Sequence, residues 1–437
     1  MKIIKFFSIM LAILLTGAMQ VQAASTFPDD EDVLDTTNYI VYTGKVVDAS
    51  NNSSLPFANI ESEGMNIATV TNIDGNFTLK VPKNSSVNTF KVSYVGYKNS
   101  TQSLQKYRNL DYNIIRLDPT AVNLKEVTIR AEDAEDLIDE VLKNIPKNYS
   151  NEDMMMTAFY RETILKRRNY VSISEAVIDI YKTPYDNDFR YDQARLIQGR
   201  KSADVEKMDT ILFKIQGGPV TTLLLDIVKN PYILLTDQYK KAYNFHITSV
   251  ISINDRLHYV ISFNQKPHVT VPLYKGKLFV DMDNLAITET EFELNMNDEM
   301  EVVRMFIRKK PIGMKVIPER AVYMVKYTIE DNLTWYFNYA RAEVKFDVKW
   351  DKKLFKTSYV AMSEIAITDR NDKPAERFRY RERFKRSQVL EELVYVFFDQ
   401  DFWGGYNIIE PDQSIESAIR KLNRKFLRSD RADDTNP

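Results

Sequence analysis

The stretch that decides the fold of the N-terminal part is residues 42–82, YTGKVVDASNNSSLPFANIESEGMNIATVTNIDGNFTLKVP, followed by FKVSYVGYKN at 90–99. Short β-rich runs alternate here with Asn, Ser, Gly, Asp and Pro, which is typical of strands joined by turns. Asp74-Gly75 predicts a tight hairpin, because glycine adopts positive φ without steric cost. The segment is therefore predicted to be a small all-β module. Its predicted strands are 44–47, 58–60, 68–71, 77–81, 90–94 and 113–117.

Four short motifs of this module occur in a family's order: GKV at 44–46, LPFANI at 55–60, TNIDGNF at 71–77 and VSYVGY at 92–97. Together they resemble the carboxypeptidase-regulatory-like domain of bacterial cell-envelope proteins. The resemblance implies a seven-stranded, transthyretin-like β-sandwich over residues 41–118 and a place in the envelope. It implies no reaction, since the domain is an accessory one.

The first 23 residues have the anatomy of a secretory signal peptide. Lys2 and Lys5 form a charged start, residues 6–15 are apolar, and VQA at 21–23 is a small-residue cleavage pattern. The apolar run is too short to span a bilayer comfortably. We expect export and cleavage after Ala23.

Charge and cysteine content narrow the function classes. The formal net charge is −2, and removal of residues 1–23, which hold two lysines and no acid, makes it −4. Nucleic-acid binding is not expected, because it depends on clustered Lys and Arg. The chain has no cysteine, which excludes disulfides, a lipid-modified cysteine, a thiol nucleophile and Cys-based metal sites. The expected location is the periplasm, with association with the outer membrane left open.

Residues 119–150 are predicted to connect the module to a second domain. LKEVTIR at 124–130 indicates a short strand. Apolar residues recur at helical spacing over 134–145, with Asp133 as a predicted N-cap and Pro146 as the predicted stop.

Residues 151–386 are predicted to form a large antiparallel sheet. In 343–350, Val344, Phe346, Val348 and Trp350 alternate with charged residues, which indicates a strand with one apolar and one wet side. A helix is predicted at 220–228, after Gly-Gly-Pro. The predicted strands are 157–165, 170–181, 243–253, 258–264, 277–281, 286–295, 301–308, 316–329, 333–349 and 354–367.

One phrase in this region, YKGKLFVD at 274–281 followed by LAI at 285–287, resembles periplasmic lipoprotein-carrier proteins. In those proteins a curved antiparallel sheet forms a half-barrel around a helix. The resemblance implies a concave apolar face able to hold an acyl chain. The alternative is a curved sheet packed on its own helices. The predicted fold class is mainly β: the sandwich, then a half-barrel-like sheet with a few packed helices.

The C-terminal part is predicted to be helical over 387–428, interrupted by a loop at 403–407, and to end in a disordered tail at 429–437. Before it, residues 376–386 (ERFRYRERFKR) interleave arginines with aromatics at period two. This pattern predicts an edge strand whose arginines are solvated or face lipid headgroups or an acidic partner.

No recognised pattern of catalytic residues or metal ligands is present. His246, His258 and His268 lack zinc-site spacing. The S-x-x-K match at 103–106 has no companion motifs, and no G-x-S-x-G or phosphate-binding glycine loop occurs. Asp281-x-Asp283-Asn284 is interpreted as a hairpin turn, and the acidic run at 29–32 as part of a disordered N-terminus, rather than as calcium sites. No catalytic residue, metal ligand or cofactor is therefore predicted, and the ligand-binding residues stay unknown.

Three functions remain open. The first is a non-enzymatic exported envelope protein, with the sandwich as an interaction module and the sheet binding a hydrophobic ligand or a protein partner. The second is an unrecognised periplasmic hydrolase. The third is an outer-membrane β-barrel protein, which the polar C-terminal helix and tail disfavour.

Overall fold

The computed structural model describes residues 12–15, 38–107, 113–120, 133–186, 190–203, 213–231, 234–236, 240–309, 312–330, 333–371, 375–396 and 402–420. The predicted strand 124–130, the acidic run 29–32 and the tail 429–437 lie outside these residues. Of the predicted signal peptide, only strand β1 (Ala12–Leu15) is described.

The N-terminal module is a β-sandwich of two sheets. One sheet has the order β5-β2-β8 and the other the order β4-β3-β6-β7, so seven strands are described, as the family resemblance implies. The short helix α1 (Leu104–Tyr107) follows β7. The strands are β2 (Tyr39–Asp48), β3 (Asn59–Ser62), β4 (Ala68–Val70), β5 (Asn76–Pro82), β6 (Thr89–Ser93), β7 (Ser100–Ser103) and β8 (Asn113–Leu117).

The sandwich core follows from the alternation of apolar residues in its strands. Val46, Ile60, Phe77 and Phe90 are buried between the two sheets, with Tyr107 of α1. The rings of Phe90 and Tyr107 meet edge to face, with centroids 5.1 Å apart, a favoured aromatic arrangement. The module therefore has an apolar core of its own.

The turn at Asp74-Gly75 differs from the predicted hairpin in what it connects. It joins β4 of one sheet to β5 of the other, so the two strands do not pair. The side-chain oxygen of Asn72 accepts hydrogen bonds from the backbone N–H groups of Asp74 and Asn76. Gly75 has φ +80°, and a Cβ there would lie 2.7 Å from the carbonyl oxygen of Val46. The requirement for glycine was predicted correctly, whereas the pairing of the flanking strands was not.

Helix α2 (Asp133–Asn148) follows the module. Ala134, Ile138 and Val141 bury its apolar side, as the helical spacing predicts. Pro146 lies inside the helix, which continues to Asn148, so the prediction that Pro146 ends it was wrong. In the last turn the lost N–H of a proline costs one hydrogen bond, and the helix tolerates that.

The second domain is built on one large, unclosed sheet with the order β13-β14-β15-β16-β18-β19-β20-β9-β10-β11-β21. Neighbouring strands are antiparallel, except that β11 and β21 pair in parallel over two residues. The strands are β9 (Met154–Lys166), β10 (Asn169–Lys182), β11 (Gln193–Ala203), β13 (Tyr243–Ile253), β14 (Arg256–Gln265), β15 (Tyr274–Asp281), β16 (Ile287–Leu294), β18 (Met314–Ile329), β19 (Trp335–Trp350), β20 (Thr357–Asn371) and β21 (Tyr395–Val396).

A small sheet and several further helices accompany the large one. Strand β1 lies between β12 (Phe213–Gln216) and β17 (Ile307–Lys309) in a three-stranded sheet. The helices include α3 (Gly218–Leu223), α4 (Glu299–Phe306) and α5 (Leu390–Leu393).

Most strand predictions are confirmed within a few residues, but 301–308 is wrong, because α4 covers most of it. Asp298 caps this helix by accepting hydrogen bonds from the N–H groups of Met300 and Glu301. Val302 and Phe306 lie four residues apart and are both buried, so helical spacing outweighs the β-branched pair Val302-Val303.

The predictions for the C-terminal part fit less well. Within 387–396 the helix is limited to α5, and a further helix is described at 413–420. Residues 376–386 do not form the predicted edge strand; their one β-bridge joins Arg383 to Arg195. Phe378 and Phe384 are buried, whereas Tyr380, which would share their face of a strand, is 71% exposed, so the segment lacks the period-two burial of a strand.

The large sheet has two distinct faces. The helical face carries Tyr160 of β9 and Ile178 of β10, and it contacts α2, α3 and α4 in one apolar cluster. The outer face carries Phe159 and Val177, which pack with Trp403 and the sandwich residue Val70. Each face is therefore covered by other parts of the chain.

Candidate functional site: the covered helical face

The helical face is covered by a segment that the sequence predicted as a helix at 220–228. In the structure α3 ends at Leu223, and turns continue through residue 229. We call residues 218–231 the cover segment. Its apolar side chains point into the same cluster as the sheet, so they occupy the space over the middle strands; they are Val220, Leu223, Leu225, Ile227 and Val228.

The start of the cover segment depends on two glycines. Gly217 and Gly218 have φ +87° and +43°, the left-handed region that favours glycine. A Cβ on Gly218 would lie 2.9 Å from the ring of Phe384. Pro219 follows in the first turn of α3, where its missing N–H costs nothing. The Gly-Gly-Pro sequence thus allows the tight backbone turn by which the chain enters the cover segment.

Asp226 fastens the cover segment to the sheet. Its Oδ2 accepts hydrogen bonds from Lys182 Nζ at 2.7 Å and Tyr185 OH at 2.9 Å. Its Oδ1 accepts from Tyr327 OH at 2.7 Å and from the backbone N–H of Lys229 at 3.1 Å. The carboxylate is fully buried and accepts four hydrogen bonds, as a buried charge requires.

Lys182 balances this buried charge. Its ammonium also contacts Asp192 Oδ2 at 2.6 Å. Burial opposes the charged form, but the carboxylates of Asp192 and Asp226 outweigh it and hold the pKa of Lys182 above its ordinary value. Burial and the charge of Asp226 also raise the pKa values of Tyr185 and Tyr327. These five residues, which we call the Asp226 cluster, form a satisfied ionic network rather than an open site.

A second polar group lies farther along the same strands, in one row across the helical face: Lys182 pairs with Met154 of β9, eight residues before Glu162. The strand register places Ser363 opposite Glu162, and Glu162 opposite Ser174. Tyr160 OH donates to Glu162 Oε2 at 3.0 Å. The cover segment reaches this row through Thr222 Oγ1, which is 3.0 Å from Ser363 Oγ.

Glu162 is the acid of this row, and its pKa differs strongly from the ordinary value. Burial raises its pKa to about 8; the hydrogen bond from Tyr160 opposes the shift, and the charge of Glu391 adds to it. The side chain is therefore protonated near neutral pH and carries no charge there. Among the described residues, the buried Ser174 Oγ has no hydrogen-bond partner. The row thus offers a neutral carboxyl and a spare hydroxyl within an apolar face.

Of the residues that the sequence singled out, His258 and Asp281 come together, with His258 Nε2 3.8 Å from Asp281 Oδ2. His258 is buried, with Nδ1 2.9 Å from the backbone oxygen of Arg256, while His246 and His268 are exposed. The Asp281 side chain accepts from the N–H groups of Asp283 and Asn284, which confirms the turn interpretation. In the part of the chain that the structure describes, no three metal-ligating side chains are grouped so as to hold an ion.

The outer face holds a second charged network that sequence reasoning missed. Arg161 is buried, with contacts of 2.8 Å to Glu175 and 3.2 Å to Glu364. Its Nη2, which also contacts Glu175, donates to the backbone oxygen of Ile409 at 2.7 Å. This bond brings the C-terminal segment 402–411 onto the sheet.

The same C-terminal segment binds the sandwich. Asn407 pairs with the backbone of Lys80: its Oδ1 accepts from the Lys80 N–H at 2.7 Å, and its Nδ2 donates to the Lys80 carbonyl at 3.0 Å. Direct contacts between sandwich and sheet include the stacked rings of Phe57 and Tyr339. The hydroxyl of Tyr336 donates to Glu61 at 3.0 Å. Sandwich, sheet and C-terminal segment therefore share a polar and aromatic interface.

Comparison with known proteins fixes the identity of the sandwich. Residues 42–129 match the CarboxypepD_reg-like domain. The match confirms the family resemblance of this module, which is a minor part of the chain. No curated protein matches the chain. Among the described residues, no helix has the length and apolarity to cross a bilayer.

Several solved structures resemble the chain at low identity. An outer membrane lipoprotein-sorting protein domain from Vibrio parahaemolyticus is 9% identical, with 55% of this chain and 93% of that chain covered and a TM-score of 0.24. A LolA superfamily protein from Nitrosomonas europaea is 12% identical, with 55% and 97% covered and a TM-score of 0.19. A DUF1329 family protein from Desulfovibrio piger is 11% identical, with 54% and 92% covered and a TM-score of 0.20. The names of the first two are of the kind that the 274–287 phrase resembles, but at these TM-scores none of the three carries an argument about function.

Proposed function

We propose that this chain is a non-enzymatic, exported protein of the cell envelope that acts as a rigid scaffold for a protein partner. The observation that carries the proposal is the Asp226 cluster. It ties the cover segment to the rest of the domain through three hydrogen bonds, from Lys182, Tyr185 and Tyr327, to one buried carboxylate. A face filled by anchored apolar side chains is a core rather than a vacant cavity.

The outer face supports the same proposal. The networks around Arg161 and Asn407 hold the sandwich, the sheet and the C-terminal segment against one another. Domains of one chain are expected to move relative to one another unless their interface is large and apolar. Here Val70 of the sandwich shares one apolar cluster with Phe159 of the sheet and Trp403 of the C-terminal segment. A scaffold needs such an interface, because a fixed relation between two modules lets both contact one partner at once.

A carrier of an apolar ligand is the second candidate, and the Glu162 row favours it. A neutral carboxyl and the spare Ser174 hydroxyl could pair with the polar end of a ligand whose chain lies on the apolar face. Binding of this kind requires the cover segment to leave the sheet and therefore to break the Asp226 cluster.

Native mass spectrometry of protein purified from its own envelope separates these functions. A stoichiometric protein partner supports the scaffold, and a co-purifying lipid supports the carrier. Hydrolysis of a peptide or ester panel by the protein, but not by a matched buffer control, would overturn both. Fractionation of the envelope adds a test of location, for which release without detergent is expected.

A further inference from the structure

One end of the large sheet combines exposed apolar side chains with clustered basic ones, and we propose that it docks on a lipid bilayer with anionic headgroups. We call this end the basic tip. It consists of three loops: residues 166–169 between β9 and β10, residues 312–315 at the start of β18, and residues 349–356 between β19 and β20. The inference is independent of what the helical face or the sandwich binds.

Sheet pairing brings the three loops together. The N–H of Asp351 donates to the carbonyl of Gly313 at 2.9 Å, which joins the second and third loops. The N–H of Arg167 donates to the carbonyl of Ser358 at 2.8 Å, which joins the first loop to the start of β20. Strands β18, β19, β20, β9 and β10 are consecutive neighbours, so their ends form one continuous edge.

The apolar part of the tip is unusually exposed. Ile312, Leu354 and Phe355 have relative exposures of 102%, 91% and 80%. Single apolar residues on a surface are ordinary, but a group of them on projecting loops marks an interaction site. Leu354-Phe355 lies at a hairpin end rather than on a flat face, which suits insertion between lipids better than docking against a globular surface.

Basic residues surround these side chains. Arg167, Arg168, Lys349, Lys352 and Lys353 are exposed, and within the described residues none of them forms an ion pair with a carboxylate. Lys356 contacts Asp347 and Glu319, and Lys315 contacts Glu299. The one exposed acid in the loops is Asp351. On a chain with a formal net charge of −2, this is a local concentration of positive charge.

Apolar tips ringed by Lys and Arg suit the membrane interface. The apolar side chains enter the boundary between headgroups and acyl chains, while the cations remain among the anionic headgroups. The tip is also sterically free of the sandwich. Arg341 of β19 packs on Phe57 of the sandwich, and Trp350 follows nine residues later along the strand, about 30 Å away at the usual rise per residue.

The test uses the full mature chain and vesicles in a sedimentation assay. One set is phosphatidylcholine alone, and the other contains about 30% phosphatidylglycerol. We expect binding to the anionic vesicles in low salt and weakening in high salt. Lys352→Ala with Lys353→Ala should weaken it on the order of 25-fold, about fivefold per lysine. The charge-matched control removes Lys98 and Lys106, exposed lysines of the sandwich, and should bind as the wild type does.

The apolar contribution is tested separately. Leu354→Gln with Phe355→Ser should weaken vesicle binding at least tenfold, whereas Leu333→Gln, in the hairpin at the other end of β18 and β19, should not. Phe355→Trp should gain fluorescence that brominated lipid quenches, beyond any quenching of the wild-type protein. The proposal is overturned if wild-type protein does not sediment with anionic vesicles in low salt, if both tip variants bind as their controls do, or if the tip instead captures an acidic protein while ignoring vesicles.

Discussion

The hydroxyl of Tyr327 donates a 2.7 Å hydrogen bond to Asp226 Oδ1, which links strand β18 to the cover segment at a fully buried point. Lys182, from β10 on the other side of the central strands, meets the same carboxylate at 2.7 Å. One acid thus joins two separated strands and the segment that lies over them. The stability of the helical face should depend on it.

Asp226→Asn is expected to destabilise the protein by about 3–5 kcal/mol. The change removes a negative charge beside the buried ammonium of Lys182 and replaces the charged acceptor of two buried tyrosine hydroxyls by a neutral one. Urea unfolding followed by fluorescence measures the change. Asp283→Asn is the matched control: this acid is 75% exposed, and its loss should change the free energy of unfolding by less than about 0.5 kcal/mol. Equal stability of the two variants would show that the cover segment is not fastened by Asp226.

The contribution of Glu162 to stability should fall as the pH rises. Its pKa is raised by burial from the ordinary 4.5 to about 8, so between these values the folded protein keeps a proton that the unfolded chain loses. Below this window both states are protonated and the penalty is absent; the penalty grows through the window. Glu162→Gln should therefore gain stability relative to wild type between pH 5 and pH 8.

The measurement is the free energy of unfolding of the two proteins at matched pH values. Glu289, whose pKa burial raises to about 7, is present in both and cancels in the difference. Glu140→Gln, on the exposed side of α2, is the control. A difference between wild type and Glu162→Gln that does not vary over this pH range would contradict the buried, protonated state of Glu162.

Sequence reasoning succeeded where local pattern and tertiary role agree. The alternation in 343–350 matches β19, in which Val344, Phe346 and Val348 are buried, because a half-buried strand imposes period two directly on the sequence. It failed where partners are distant. Asp226 stands alone within the apolar run TTLLLDIV, which is a signal of a buried charge, but nothing local reveals that Lys182, 44 residues earlier, neutralises it.

Gly75→Val in the full chain is expected to cost about 1–3 kcal/mol, because the residue has positive φ and its Cβ would crowd the Val46 carbonyl. The control is Gly64→Ala, also at positive φ but with nothing within 4 Å of its Cβ.

The sandwich, residues 41–118, should also fold alone, since its core is internal. A fragment without cooperative unfolding would contradict that boundary and show that the contacts through Phe57 and Asn407 are needed.

Export should remove residues 1–23. The mature protein is expected to begin after Ala23 and to carry no acyl group, because the chain has no cysteine to modify. Intact mass spectrometry decides this. Cleavage would also remove β1 from between β12 and β17, so a retained Met1 would mean that this strand is part of the working protein.

The central claim is that the cover segment stays on the sheet while the protein works, and a cross-link tests it most directly. Thr222 Oγ1 and Ser363 Oγ are 3.0 Å apart, so Thr222→Cys with Ser363→Cys can form a disulfide in a chain that has no other cysteine. The scaffold account predicts that the oxidised variant recovers its envelope partner in the same ratio as the reduced variant and the two single-cysteine controls. Loss of the bound partner or lipid on oxidation, and its return on reduction, would contradict the account and establish an opening helical face.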